Sequence, residues 1–78
     1  MKWMQYTYVN GELKYSPKIR TADDMVRMMA AMHFHRQAGA DVTVGVEENS
    51  RFETTAYIFH RVMSNRIVIN RFEKIDEE

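Results

Sequence analysis

The chain has 78 residues, with eleven basic and eleven acidic side chains and no cysteine. This length predicts a single domain, residues 1–78, whose small core buries only about 60% of the surface that the unfolded chain exposes. Zero net charge argues against the overall electrostatic attraction typical of a strong DNA-binding protein, and the lack of cysteine excludes disulfides, thiolate metal sites and cysteine nucleophiles.

The chain shows no segment that predicts contact with a membrane. No run approaches the 18 apolar residues that a spanning helix needs, and the first ten residues lack the apolar middle and cleavage site of a signal peptide. We therefore expect a cytoplasmic protein with no membrane partner.

The first elements are predicted to form a β-hairpin. Residues 2–9 are rich in aromatic and β-branched side chains, which favours a strand. Asn10-Gly11 is typical of a type I′ turn, whose two central residues need positive φ. Residues 12–15 are predicted to form a short returning strand that Ser16-Pro17 ends, because proline cannot donate a hydrogen bond to a ladder.

One helix is predicted from Thr21 to Gly39. Thr21 is a favoured N-cap, and Asp24 follows three residues later, where a capping-box partner belongs. Gly39 provides the left-handed conformation that commonly ends a helix. The side predicted to pack on the core consists of Ala22, Met25, Val26, Met29, Met32 and His33.

The rest of the chain is predicted to form three strands. Residues 41–46 alternate strictly between valine and other residues, which predicts a half-buried strand. Residues 51–62 form a longer predicted strand with apolar side chains on both of its faces, and residues 66–72 form the last strand. Residues 74–78 are expected to be a disordered acidic tail. The order ββαβββ predicts an α+β fold, a two-layer sandwich of one helix on an antiparallel sheet of four to five strands, with one sheet face left without a helix.

The helix carries apolar surface on its outer side as well as its inner side. This outer surface, which we call the helix strip, has the spacing i, i+4, i+7, i+11 and consists of Arg27, Ala31, Phe34 and Ala38. Either the N-terminal hairpin or a loop covers Phe34, or the helix strip contacts a second protein or a second copy of the chain. Aromatic residues and arginine are enriched at interface hot spots.

The uncovered sheet face is the second predicted interaction surface. If the valines of residues 41–46 face the helix together with Ile67 and Ile69, the alternate residues of the last two strands point away from it. This placement would put Tyr57, Phe59, Arg61, Arg66 and Phe72 on the uncovered face. Aromatic rings and arginines in such an arrangement bind single-stranded RNA or DNA by base stacking and phosphate contact.

The sequence contains no recognisable catalytic or cofactor motif. His33 and His35 are two residues apart on a helix and therefore point in nearly opposite directions, which excludes one shared metal ion. The three glycines are too scattered for a phosphate-binding loop. His35, His60 and Glu53 are the least implausible catalytic residues, and we expect no enzyme, no cofactor and no metal.

The prediction for function is a small non-enzymatic protein-binding module. It would act as an inhibitor or accessory factor that occupies a surface on a partner, as small proteins encoded by viruses and mobile elements do. Binding of single-stranded nucleic acid through the sheet is the alternative. Self-association as a homodimer is a third hypothesis, because a minimal core with apolar residues on two sides could be completed by a second copy.

Overall fold

The computed structural model describes residues 1–75, and within them one helix packs on one sheet. The elements are β1 (Lys2–Val9), β2 (Glu12–Thr21), α1 (Ala22–Gln37), β3 (Asp41–Glu48), β4 (Thr54–Val62) and β5 (Ile67–Ile75). The sheet order is β2-β1-β5-β4-β3, and all neighbouring strands are antiparallel. The predicted α+β fold with the order ββαβββ is therefore confirmed. β5 includes residues 74 and 75 of the expected disordered tail, and residues 76–78 lie outside the described part of the chain.

The β1–β2 turn has the backbone conformation that its sequence predicts. Asn10 has φ 51° and Gly11 has φ 84°, as a type I′ turn requires. The turn is also joined to β5, because the Asn10 side-chain oxygen accepts a hydrogen bond of 2.9 Å from the backbone N–H of Ile67. This bond fixes the hairpin against the strand beside it.

β2 is longer than predicted, and the prediction that Ser16-Pro17 ends it was wrong. Residues 15–17 lie opposite Tyr6 alone, so the strand bulges at this point. Tyr15 has φ 65° within the bulge. Because β2 is an edge strand and Pro17 lies in its bulge, the missing N–H of the proline costs no ladder hydrogen bond. Pairing then continues to Thr21.

Both ends of α1 are capped by the predicted residues. The Thr21 hydroxyl accepts a bond of 3.2 Å from the Asp24 N–H, and the Asp24 carboxylate accepts one of 2.9 Å from the Thr21 N–H. These two bonds form the capping box. At the other end Gly39 has φ 97°, and the Ala40 N–H donates to the His35 carbonyl at 2.9 Å, as in a Schellman motif.

The core lies between α1 and the middle of the sheet. Trp3, Met25, Phe59 and Phe72 are buried there, and Phe72 is only 1% exposed. Partly buried side chains packed against this cluster are Met28, Met29, Met32, Val44 and Tyr57. The register pairs Val44 with Phe59, so the valines of β3 and the aromatic residues of β4 face the helix together.

The inner side of α1 differs from the prediction by a small rotation of the helix. Met25, Met29 and Met32 pack on the core as predicted, and Met28 joins them. Val26, expected in the core, is 68% exposed. His33 and Ala22 are exposed as well, so their predicted core positions were wrong. Residues three or four positions apart lie on the same face of a helix. Met28 is three positions after Met25 and four before Met32, so it lies on the core face in place of Val26.

Candidate interaction surfaces

The helix strip is exposed along its whole length. Phe34 is 68% exposed, and Arg27, Ala31 and Ala38 are also exposed. Neither the N-terminal hairpin nor a loop within residues 1–75 covers the phenylalanine, whose only described ring contact is an edge-on one with His35 at 6.2 Å. The strip is therefore available to another molecule.

The chemistry around the helix strip is unusually apolar for an outer helix surface. Ala30 lies beside the strip and is exposed too, and Val26 is exposed on the flank between the strip and the core side of the helix. An outer helix face normally carries charged and polar residues. Arg27 forms no salt bridge or side-chain hydrogen bond with residues 1–75. The pKa of Asp24 is lowered chiefly by the hydrogen bond from the Thr21 N–H, and the Arg27 charge one turn along the helix adds to that effect.

An apolar cavity of about 390 Å³ lies beside the first half of α1. Trp3, Met25 and Tyr57 line it, and Val26 lies at its border with the outer helix surface. The Tyr57 ring packs against the Trp3 ring with centroids 5.1 Å apart. The cavity is a place where an apolar side chain of a partner could insert next to the helix strip.

The sheet face opposite α1, which we call the uncovered face, is also apolar. Across its middle, Ile69 lies between Tyr8 of β1 and His60 of β4. The same alternation assigns eleven apolar side chains to this face: Met4, Tyr6, Tyr8, Leu13, Ile19, Ala56, Ile58, Val62, Ile67, Ile69 and Ile75. His60 and the charged residues Lys2, Asp41, Glu47, Arg71 and Glu73 lie among them. No element within residues 1–75 packs on them. Sequence reasoning predicted an uncovered face but assigned the wrong residues to it, because it placed Ile67 and Ile69 beneath the helix.

An ion-pair triad lies in the middle of the uncovered face, where Arg71 of the central strand β5 is paired with Tyr6 and Ile58. The Arg71 guanidinium donates to the Glu73 carboxylate at 2.9 Å and to the Glu47 carboxylate at 3.1 Å. Both glutamates are paired with Ala56 in the ladders, so the triad lies over Ala56 and leaves it 2% exposed. The hydrogen bond from Arg71 lowers the pKa of Glu47, and the two carboxylates raise the pKa of Arg71. The Arg71 charge is therefore compensated by two carboxylates, and the triad keeps a net charge of −1.

Polar and basic residues occupy the part of the helix-side sheet surface that α1 leaves open. The Gln5 amide accepts a bond of 2.7 Å from Arg20 and donates one of 3.0 Å to the Asn70 side chain, which also accepts a bond of 2.7 Å from Thr7. We call the cations around this network the basic patch: Lys14, Lys18, Arg20, Arg61 and Arg66. Arg61 and Arg66 line a cavity of about 220 Å³ within it.

The basic patch has little internal charge compensation. Lys14 pairs with Glu12 at 3.3 Å, whereas Lys18, Arg61 and Arg66 form no salt bridge with residues 1–75. The patch was not predicted as a unit because it joins β2 to β4 through two intervening strands, and the strand order is not readable from the sequence.

The five residues predicted for nucleic-acid binding do not share the uncovered face, and that placement was wrong. Phe59 and Phe72 are core residues, 3% and 1% exposed, and cannot stack on bases. Tyr57 is half-buried on the helix side. Arg61 and Arg66 are brought together in the smaller cavity, where the Arg66 Nε donates to the Met63 sulfur at 3.3 Å.

The least implausible catalytic residues are not brought together. His35 lies on α1, whereas His60 lies on the uncovered face on the other side of the sheet. The Glu53 carboxylate accepts a bond of 3.1 Å from Asn49 in the β3–β4 loop. Within residues 1–75, no three histidine, aspartate or glutamate side chains form a group that could hold a metal ion.

Comparison of the chain with protein-family models, with curated proteins and with solved structures found no match. In the described part of the chain, no helix has the length and apolar character needed to cross a membrane.

Proposed function

We propose that this protein is a non-enzymatic protein-binding module, an inhibitor or accessory factor that occupies a surface on a partner protein by means of its helix strip. The observation that carries the proposal is the 68% exposure of Phe34 on an outer helix surface where Ala30, Ala31 and Ala38 are exposed beside it. An apolar face that its own domain does not bury is a common mark of an interaction site.

The spacing of the helix strip indicates the shape of the partner site. Anchors at i, i+4 and i+7 on one helix are typical of a helix that lies in an apolar groove. Phe34 would fill the deepest part of such a groove, and Ala31 and Ala38 on either side allow close approach of the two backbones. Arg27, which has no ion-pair partner within residues 1–75, would meet an acidic group at one end of the groove.

The test is capture of the partner from lysate of the source cell, with nuclease present, followed by titration calorimetry with the purified partner. Phe34→Asp and Arg27→Glu should each abolish binding while the circular dichroism spectrum stays unchanged. Phe52→Asp is the matched control, because Phe52 is 84% exposed in the β3–β4 loop, and it should bind normally. Full binding by both helix variants would exclude the helix strip as the site.

Binding of single-stranded nucleic acid is a second candidate function, supported by the basic patch. Its cations would contact phosphates, and its affinity should fall steeply as salt concentration rises. A mixed-sequence oligonucleotide at about 50 mM salt is the probe, since electrostatic binding is strong in that regime. The double variant Arg61→Gln, Arg66→Gln should weaken retardation, whereas the loop variant Arg51→Gln should not. No retardation of the probe by the unmodified protein would remove this candidate.

A further inference from the structure

We propose that the smaller cavity, beside Met32 in the second half of α1, binds the terminal phosphate of a small phosphate monoester. This cavity, which we call the arginine cavity, has a volume of about 220 Å³, and its polar lining residues are Arg61, Arg66 and Asn70. The inference uses two cations of the basic patch, but it depends neither on the helix strip nor on binding of nucleic acid.

A ladder and a short turn bring the two arginines to the arginine cavity. Arg61 of β4 is paired with Val42 and Val68, so it lies on the helix side of the sheet. Arg66 follows the β4–β5 turn, where the Met63 N–H donates to the Arg66 carbonyl at 2.8 Å and the Arg66 Nε donates to the Met63 sulfur at 3.3 Å. The terminal nitrogens of the Arg66 guanidinium keep their N–H donors without a partner within residues 1–75.

A chain of hydrogen bonds orients the Asn70 amide at this cavity. Arginine can only donate, so the 2.7 Å bond from Arg20 goes to the Gln5 amide oxygen and fixes the orientation of Gln5. The Gln5 amide nitrogen then donates to Asn70 Oδ1 at 3.0 Å, and the Thr7 hydroxyl donates to the same oxygen at 2.7 Å. Gln5 and Thr7 lie on β1, whereas Phe59 pairs with Asn70 from β4. The Asn70 oxygen is therefore held toward β1, which leaves its NH₂ group on the β4 side, where the cavity lies.

The polar side chains of the arginine cavity offer donors alone. A guanidinium has no acceptor, and both lone pairs of the Asn70 oxygen are occupied by the two bonds from β1. Such a set suits a ligand group that only accepts, as the oxygens of a phosphate do. Arginine and phosphate form charge-assisted and often bidentate pairs. The charge of a phosphate monoester, close to −2 at neutral pH, also matches the two arginines.

The protein does not neutralise the positive charge at this cavity. Neither Arg61 nor Arg66 forms a salt bridge within residues 1–75. Arg36 of α1 adds a third cation, because its Nε donates at 3.1 Å to the carbonyl of Val42, the ladder partner of Arg61. Glu12, the acidic residue in the same row of the sheet, is three strands from Arg61, about 14 Å at ~4.8 Å per strand. A bound anion would relieve the repulsion between these cations.

The size and the remaining walls of the arginine cavity indicate what carries the phosphate. Pockets that hold a whole drug-sized ligand measure about 300–1,000 Å³, so this one fits a phosphate and a short part of the molecule attached to it. The other lining residues, Met32, Phe59, Met63 and Val68, are apolar. Methionine adapts to irregular shapes and makes favourable contacts with aromatic rings. We therefore expect an aromatic or other apolar group next to the phosphate.

The test is a titration of the isotope-labelled, unmodified protein followed by nuclear magnetic resonance. Phenyl phosphate should cause saturable shifts of the Asn70 side-chain amide and of the Nε–H signals of Arg61 and Arg66. Inorganic phosphate should bind more weakly because it lacks the apolar group. Dimethyl phosphate, a diester like the nucleic-acid backbone, should bind more weakly still because it carries one charge. No saturable shift at these residues with phenyl phosphate up to about 10 mM, the range expected for so small a ligand, would overturn the inference.

The diester also separates this inference from the second candidate function. Dimethyl phosphate that binds as tightly as phenyl phosphate would overturn the assignment of a terminal phosphate. If phenyl phosphate binds but the mixed-sequence oligonucleotide is not retarded, the nucleic-acid candidate fails and the inference stands.

Variants of the lining residues test which groups hold the phosphate. Arg61→Gln should weaken binding of phenyl phosphate about tenfold, the usual effect of losing a hydrogen bond to a charged group, and Arg66→Gln should weaken it less because Arg66 is exposed. Asn70→Asp keeps the oxygen that accepts from β1 but replaces the NH₂ donors with a negative oxygen, so it should abolish binding.

Arg51→Gln is the matched control, because it removes the same charge from the exposed β3–β4 loop, and it should bind normally. Equal weakening by Arg51→Gln and Arg61→Gln would mean that phosphate responds only to overall charge, which would overturn the inference. The titration of the unmodified protein needs no variant and stays decisive if Asn70→Asp does not fold.

Discussion

The rings of Phe59 and Phe72 pack against each other beneath α1, with centroids 5.0 Å apart and an interplanar angle of 53°. Phe59 comes from β4 and Phe72 from β5, and both are at most 3% exposed. This contact decides which face of the sheet is free, because side chains alternate along each strand. Once these two rings face the helix, Ile58 and Arg71 must face the other way.

Truncation of this ring pair should be costly. Phe72→Ala removes the most deeply buried side chain of the core, and we expect a loss of about 3–5 kcal/mol in the free energy of unfolding, from lost burial and the cavity left behind. Urea denaturation measures it. Phe52→Ala, at an 84% exposed position, should change stability by less than about 0.5 kcal/mol. Equal effects of the two substitutions would contradict the assigned core.

Local signals predicted most of the fold. The Asn10-Gly11 turn, the capping box and the C-terminal Gly39 all have the geometry that their residue types predict. Each of these signals lies within a few residues of the chain, and its conformation depends on steric and hydrogen-bonding rules that do not need the rest of the protein. The element order followed from them.

The uncovered face was assigned wrongly because apolar residues occupy both sides of β4. Residues 56–59 are all apolar, so alternation alone does not choose between Ala56 with Ile58 and Tyr57 with Phe59. The ladder between β3 and β4 also shifts near Glu47, where Thr55 is an extra residue on β4. A bulge of one residue reverses which side chains face the helix. No local sequence signal specifies this bulge.

The capping box makes a second prediction. Thr21→Ala removes the hydroxyl that accepts from the Asp24 N–H, and it should lower the free energy of unfolding by about 1 kcal/mol. Thr21→Ser keeps the hydroxyl and should lose much less. Thermal unfolding of both variants measures the difference. Indistinguishable melting temperatures would show that the hydroxyl contributes little to the stability of α1.

Gly39 and Gly45 form a natural pair for a third prediction. Gly39 has φ 97°, and a Cβ added there would meet nothing within 4 Å, so Gly39→Ala tests backbone conformation alone. We expect it to destabilise the protein by about 1–2 kcal/mol. Gly45 lacks a positive φ, and an added Cβ would lie 3.9 Å from the Ile58 Cβ, an ordinary contact. Gly45→Ala should therefore be tolerated, and a larger loss for it than for Gly39→Ala would contradict this account.

The ion-pair triad predicts a specific response to acid. Its hydrogen bond from Arg71 holds the pKa of Glu47 below the ordinary value of 4.5. Because the pKa is lower in the folded state, the ion pair stabilises the fold above pH 4.5, and that contribution is lost as pH falls through the folded pKa. Glu47→Gln should therefore reduce stability at neutral pH and make it fall less steeply below pH 4.5.

Urea denaturation at a series of pH values measures both effects, with Glu48→Gln on the neighbouring exposed residue as control. If the stability of Glu47→Gln depends on pH in the same way as that of the unmodified protein, the ion pair does not contribute to the free energy of unfolding.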